Sequence, residues 1–275
     1  SFTIDATLIP DFGQVTFDDE ELNLTPFEQE FDENRPFFTE GADLFKIVDG
    51  GSFRGGSFFY SRRIGQRTSI NEDEILNGGD QLLSYDETPK LLNSIKLTGT
   101  TNNNFIIGFI NAITDKSYAL IRENNDNIRK ELITPLTNFN VLSLSQKIIN
   151  DYSSIGFING SLNRESSFED ANNYAFMANI FDDKRAFSFK GYYYKTYSPR
   201  LSKRSGQRKI ITIEELKGNF RYWLHFHAAD RYYNPNEIGF FNSKNFIQYG
   251  SRVSYQILNK NKSVSYTHLR AHETE

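Results

Sequence analysis

Apolar and polar residues alternate with period two along most of this chain. In SFTIDATL, Phe2, Ile4, Ala6 and Leu8 fall on one face and Thr3, Asp5 and Thr7 on the other. Ile95 and Leu97 oppose Lys96 and Thr98. Phe220, Tyr222, Leu224 and Phe226 oppose Arg221, Trp223, His225 and His227, and Val253, Tyr255 and Ile257 oppose Arg252, Ser254 and Gln256. RAFSFKGYYYKTY alternates more loosely, with Phe187, Phe189 and Tyr193 on one side, while FIIGFI (Phe105–Ile110) is apolar on both faces. Strict alternation is the mark of strands with two chemically different faces. Polar clusters at Asn102–Asn104, Thr114–Ser117, Glu123–Asn127 and Phe181–Lys184 punctuate the runs and predict hairpin turns. Helical periodicity is nearly absent. The best short candidate is NEDEIL (Asn71–Leu76), which offers an N-cap followed by acids in the first turn. No repeat is strict enough for a propeller.

Two architectures carry such strands. Alternating segments of about 9–11 residues rich in Tyr and Phe fit an outer-membrane barrel, with the apolar face in lipid and the polar face lining the lumen. A soluble sandwich alternates too. Alternation alone leaves both open. Composition adds that aromatic residues make up 15% of the 275 positions, carried by 25 Phe and 15 Tyr. Both residues favour strands. A net charge of −4 gives no reason to expect a nucleic-acid partner. With no cysteine, a disulfide scaffold and a thiolate metal site are excluded. No run approaches the roughly 20 apolar residues of a membrane helix, so any bilayer span here would be a β-barrel. The chain starts at Ser1 without a leader pattern and opens directly into a strand, so upstream sequence is expected to be missing.

The N-terminal third decides between the two. PDFGQV (Pro10–Val15), NLTPFE (Asn23–Glu28), ENRPFFTEGADLF (Glu33–Phe45), FYSRRIG (Phe59–Gly65), KLTGTT (Lys96–Thr101), PLTNFNV (Pro135–Val141) and YNPNEIGF (Tyr233–Phe240) occur in that order. Together they resemble a family of uncharacterised outer-membrane β-barrel proteins of Gram-negative bacteria, over roughly residues 1–262. The ENRPFFTEGADLF and FYSRRIG pieces are the specific ones. The resemblance implies an outer-membrane location and an upstream domain similar to family-nine carbohydrate-binding modules. It implies no catalytic residues.

The tail VSYTHLRAHET (Val264–Thr274) places His268 and His272 four apart, as on a zinc-protease helix. Its codons can spell a string similar to a transposase-type sequencing adapter. Residues 263–275 are therefore read as an adapter-derived artefact and the histidine spacing as accidental. Asp11–Gly13 spells DFG without the remaining kinase motifs. Gly50–Arg67 is glycine-rich but holds no P-loop string. The acidic stretch Asp18–Glu33 lacks the glycine of a calcium loop. Arg62, Arg63 and Arg67 are expected to pair with acids of Asp18–Glu21 or with Asp32 and Glu33. Arg221, Trp223, His225 and His227 form a candidate lumen-facing patch, suited to stacking and hydrogen bonding with sugar or to plain lumen filling. Two imidazoles at i, i+2 fall short of the four ligands of a closed zinc site.

These readings predict an all-β chain, part of an antiparallel transmembrane β-barrel. Residues 1–90 hold a first strand and an irregular connector, anchored through Arg35, Pro36, Phe37, Phe38, Glu40, Arg62 and Arg63. Residues 91–262 form successive hairpins of an incomplete barrel. Outer-membrane lipid and carbohydrate are the expected partners, with no nucleic acid, no metal and no cofactor. The function expected is glycan or small-solute binding or transport at the cell surface. A carbohydrate-active hydrolase using lumen-facing carboxylates and a purely structural barrel are the alternatives.

Overall fold

The computed structural model describes residues 2–8, 30–47, 56–165, 168–198 and 204–257. Ten strands build one antiparallel sheet: β1 (Phe2–Leu8), β3 (Leu91–Thr100), β4 (Phe105–Thr114), β7 (Thr137–Lys147), β8 (Ser154–Arg164), β9 (Ala171–Phe181), β10 (Phe187–Ser198), β11 (Arg204–Glu215), β12 (Phe220–Ala229) and β13 (Phe246–Tyr255), adjacent in that order. A second sheet holds β2 (Gln81–Tyr85), β5 (Ser117–Arg122) and β6 (Ile128–Thr134) in the order β2-β5-β6. The four polar clusters all sit at chain reversals: between β3 and β4, β4 and β5, β5 and β6, and β9 and β10. Asn104 and Asp126 take left-handed backbone there, as short polar side chains can.

The all-β antiparallel class is as expected, and among the described residues the large sheet is open, with β1 and β13 as its edges, so no barrel is closed. Two expectations need correction. The hairpins after residue 91 are not all consecutive in one sheet: β5 and β6 leave it, and β4 pairs directly with β7. The connector is not wholly irregular. It holds α1 (Pro36–Thr39), 3-10 turns at Ala42–Phe45 and Ser61–Arg63, α2 (Glu72–Ile75) within the NEDEIL stretch, and β2.

The burial of the two sheet faces follows the alternation. On β3, Ser94 and Lys96 point inward and are buried, while Ile95 points outward and is 43% exposed. The register carries this across the sheet. Inward positions include Thr114, Thr137, Ser143, Asn173, Arg208, Thr212 and His227, mixed with Ile110, Val141, Ile158 and Tyr192. Outward positions include Phe176, Phe187, Phe189, Ile211, Ile213, Leu224, Ile247 and Tyr249, all exposed. The buried face is thus the one rich in polar and charged groups.

What buries the inward face is the connector together with the loop 230–245. Phe38, Phe45, Phe58 and Ile64 from the connector share one cluster with Tyr233, Ile238 and Phe241 from the loop and with the inward apolar residues of the strands. The two segments are bonded to each other. Ser57 and Phe240 exchange backbone hydrogen bonds at 2.8 Å in each direction, and Tyr60 N donates to Ile238 O at 2.9 Å. Glycine supplies the clearance. A Cβ on Gly206 of β11 would lie 2.1 Å from the backbone N of Tyr233, and one on Gly239 would lie 2.4 Å from Phe58 O. Only the absence of a side chain allows main chain to approach main chain so closely.

Candidate functional site

The interior is organised around cations held by backbone carbonyls. Arg35 precedes α1, where Pro36 sets the first helical φ. Its guanidinium chelates Glu33 through Nε at 2.8 Å and Nη2 at 2.7 Å. It also donates to Ile64 O at 2.7 Å and Ser61 O at 2.8 Å, and lies 4.4 Å from the centre of the Phe38 ring. Ser61 Oγ donates to the same Glu33 carboxylate at 2.6 Å. Burial by itself pushes the Glu33 carboxyl up, but the hydrogen bond and charge of Arg35, helped by Ser61, outweigh it and hold the group below its ordinary value. Arg63 is buried, donating through Nε to Gly239 O at 3.0 Å and through Nη1 to Gln66 Oε1 at 3.0 Å. Lys96 is 2% exposed and reaches from β3 to the end of α1, donating to Phe37 O at 2.7 Å and Glu40 O at 3.0 Å.

The three stretches Glu33–Phe45, Phe59–Gly65 and Tyr233–Phe240 therefore meet in one interior hub. Of the acids expected to pair with Arg62, Arg63 and Arg67, Asp32 and Glu33 lie among the described residues. The Glu33 carboxylate is taken by Arg35 and Ser61, whereas Arg62 donates to the backbone carbonyl of Asp32 at 2.7 Å. Arg67 pairs with Glu87 at 3.0 Å. Asp18–Glu21, Asp11–Gly13 and the tail with His268 and His272 lie outside the described residues.

Arg221, Trp223, His225 and His227 all occupy the inward side of β12. Arg221 sits at the turn, with Nε donating to Gly218 O at 3.2 Å. Trp223 stacks on His225, with ring centres 5.0 Å apart and planes 7° from parallel, and it lies over Gly250 of β13. His225 Nδ1 bonds the Thr212 hydroxyl at 2.9 Å. His227 Nε2 accepts from Arg208 Nε at 2.9 Å, which requires a neutral ring protonated on Nδ1. Arg208 in turn lies 4.9 Å from the Tyr194 ring centre and 4.4 Å from that of Phe241. The deeper half of this patch is thus packed. The imidazole planes stand 76° apart with centres separated by 6.0 Å. Among the described residues no group of three or more His, Cys, Asp or Glu could hold a metal ion.

A polar cleft of about 660 Å³ opens beside the hub and was not foreseen. Its walls are the connector stretch from Arg63 to Ser69, the ends of β4 and β8, the start of β7, the β8–β9 turn with Phe168 and Glu169, and the loop residues Asn234, Asn236 and Glu237. Arg164 Nη2 and Glu237 Oε2 bridge two of these walls at 2.5 Å. No spacing in the sequence could have announced it, since each wall comes from a different part of the chain.

No helix of the described residues is long and apolar enough to cross a membrane. No curated protein and no solved structure matches this chain. The model of a domain family described as domain of unknown function (DUF5916) matches residues 1–274, and the chain belongs to that family.

Proposed function

We propose that this chain is part of an outer-membrane β-barrel of a Gram-negative bacterium, embedded through the outward face of its large sheet and filled by its own connector, with a surface role in binding or passing small polar solutes such as glycans. The observation that carries the reading is the partition between the two faces. Lys96, Arg208 and Lys190 are drawn inward, while an apolar band of Ile, Leu, Phe, Tyr and Val stands exposed outside. Its exposure far exceeds the scattered single apolar residues of a soluble monomer. The outward lysines Lys195 and Lys209 lie near the rings of Tyr174 and Tyr193, at 6.0 Å and 5.9 Å. Snorkelling cations and tyrosines of this kind suit the edge of a membrane.

A row of amides bounds the band. Asn111, Asn140, Ser161 and Asn172 stand in register on four neighbouring strands. Asn111 Nδ2 donates to Asn138 Oδ1 at 2.6 Å and Asn140 Oδ1 at 2.8 Å, and Asn159 Nδ2 donates to Asn172 Oδ1 at 2.8 Å.

The hydrolase alternative is less well supported. Such an enzyme needs one carboxyl kept protonated as the acid. Glu33 is held ionised by Arg35, and Glu237 and Glu214 are ion-paired to Arg164 and Lys190.

The test uses the single tryptophan of the chain, Trp223, which faces inward. In vesicles containing bromine-labelled acyl chains its fluorescence is expected to survive. In Trp223→Phe/Phe176→Trp, the tryptophan sits on the outward face and is expected to be quenched. Quenching of Trp223 with no quenching at position 176 would reverse the faces and sink the proposal.

A further inference from the structure

We propose that the polar cleft beside the hub is a binding site for a neutral, polyhydroxylated solute of the oligosaccharide class. This deepens the solute-binding part of the function proposed above and rests on it. Size is the first argument: about 660 Å³ falls within the range of built ligand sites, roughly 300–1,000 Å³.

Charge is the second. Arg63, Arg67 and Arg164 line the cleft with Glu169 and Glu237, and Glu87 adds a third carboxylate against Arg67. The described lining carries three cations and two carboxylates, and Glu87 outside it offsets Arg67, so little excess charge is left to attract a phosphate, a sulfate or a uronate. Arg164 is held at 2.5 Å by Glu237 and also donates to Glu169 O at 2.7 Å. Both groups are thereby fixed in place, and a fixed donor and acceptor pair matches adjacent hydroxyls on one edge of a sugar ring.

The third argument is the alternation of surfaces. Threonine and serine hydroxyls and the amides of Gln66, Asn234 and Asn236 are interspersed with Pro89, Phe139 and Phe168. A pyranose presents the same alternation, with hydroxyls around its edge and C–H groups on its faces. Phe168 is 37% exposed at the rim, where its ring is available for stacking. The loop is preorganised. Asn236 closes it by donating Nδ2 to Phe241 O at 3.2 Å and accepting from Phe241 N at 2.7 Å. Asn173 of β9 ties it to the sheet through Pro235 O at 2.9 Å. A site that does not have to order itself on binding loses less affinity.

The experiment is calorimetric titration of the detergent-solubilised chain with cellotetraose and maltotetraose, and with tetragalacturonate as the acidic comparison. One neutral tetrasaccharide is expected to bind, and the acidic one to bind at least about tenfold more weakly. Phe168→Ala removes the rim ring and is expected to weaken binding about tenfold, the worth of one aromatic contact. Ser69→Trp, at an exposed connector position, fills the mouth without touching the core and is expected to abolish binding. Gly78→Ala, outside the cleft lining and with nothing within 4 Å of its added Cβ, is expected to leave it unchanged.

Absence of binding to both neutral sugars by a chain that shows the expected bromine-quenching pattern overturns this inference and spares the membrane reading. Binding that survives both cleft variants overturns the location. Binding that both variants impair, in a chain whose quenching pattern is reversed, upholds the site and overturns the membrane reading.

Discussion

Arg63 donates its Nε hydrogen to the carbonyl of Gly239 at 3.0 Å, across 176 positions of the chain. The bond joins the connector to the loop between β12 and β13 inside the sheet, where both groups are buried. It also explains why Gly239 must be glycine. The loop backbone runs so close to the connector backbone that a Cβ would strike Phe58 O at 2.4 Å and Ser57 O at 2.5 Å.

Gly239→Ala is therefore expected to be costly, because the atoms it meets are main chain and cannot rotate away. Overpacking of this kind costs about 3 kcal/mol. Gly78→Ala is the matched control, with nothing within 4 Å of its Cβ and an expected change within about 0.5 kcal/mol. Urea denaturation of the two variants in the same detergent separates them. Equal midpoints would show that the loop does not dock on the connector as described.

Lys96 makes a second prediction. Its ammonium satisfies two carbonyls at the end of α1 from a position that is 2% exposed. In Lys96→Met the stem still packs, but the Phe37 and Glu40 carbonyls lose their donor. Unsatisfied buried acceptors cost about 1–3 kcal/mol each. The connector is expected to become the first target of limited proteolysis while the strands stay protected. Unchanged cleavage would mean that the lysine is not an anchor.

The Glu33–Arg35–Ser61 clamp gives a pH dependence with a definite sign. Glu33 lies below its ordinary value of 4.5 in the folded chain, so in the interval between the two values the unfolded chain holds a proton that the folded chain does not. Stability from the clamp is then fully present above about pH 4.5 and drains away as the pH falls through the folded value. The acid limb of a melting-temperature profile records this. Glu33→Gln is expected to start lower at neutral pH and to show a flatter limb. An acid limb identical to that of the parent would remove Glu33 as its source.

Strand alternation, the turn clusters and the shared face of Arg221, Trp223, His225 and His227 were legible because period two is a local property. The departure of β5 and β6 was not. SYALIR alternates like its neighbours, and nothing local tells a strand which sheet to join. That choice is made by β2, some thirty residues away, which offers Leu82 and Tyr85 as partners. The clamp was not legible, since the sequence offered Arg62, Arg63 and Arg67 as partners of the acid and gave Arg35 no such role. Geometry decides for Arg35, whose fork reaches both oxygens of Glu33. The cleft was illegible for the same reason as β5 and β6. Arg164 and Glu237 are 73 positions apart and sit on opposite walls.

The outward face gives the last prediction. Ile211 is 41% exposed and lines a shallow apolar groove with Leu224, Phe226 and Tyr249. Ile128, on β6 of the small sheet, is 63% exposed and lies off the band. In water both are surface positions, where a lysine changes stability by about 0.5 kcal/mol or less. In a bilayer they part company. A lysine on the lipid face of a barrel costs about 2–4 kcal/mol near the midplane, and one beyond the membrane costs nearly nothing. Ile211→Lys is therefore expected to fold in detergent but to insert poorly into vesicles, while Ile128→Lys inserts like the parent. Flotation of both variants with preformed vesicles measures the difference. If Ile211→Lys floats as well as Ile128→Lys, the apolar band does not face lipid, and its exposed side chains must be covered by protein instead.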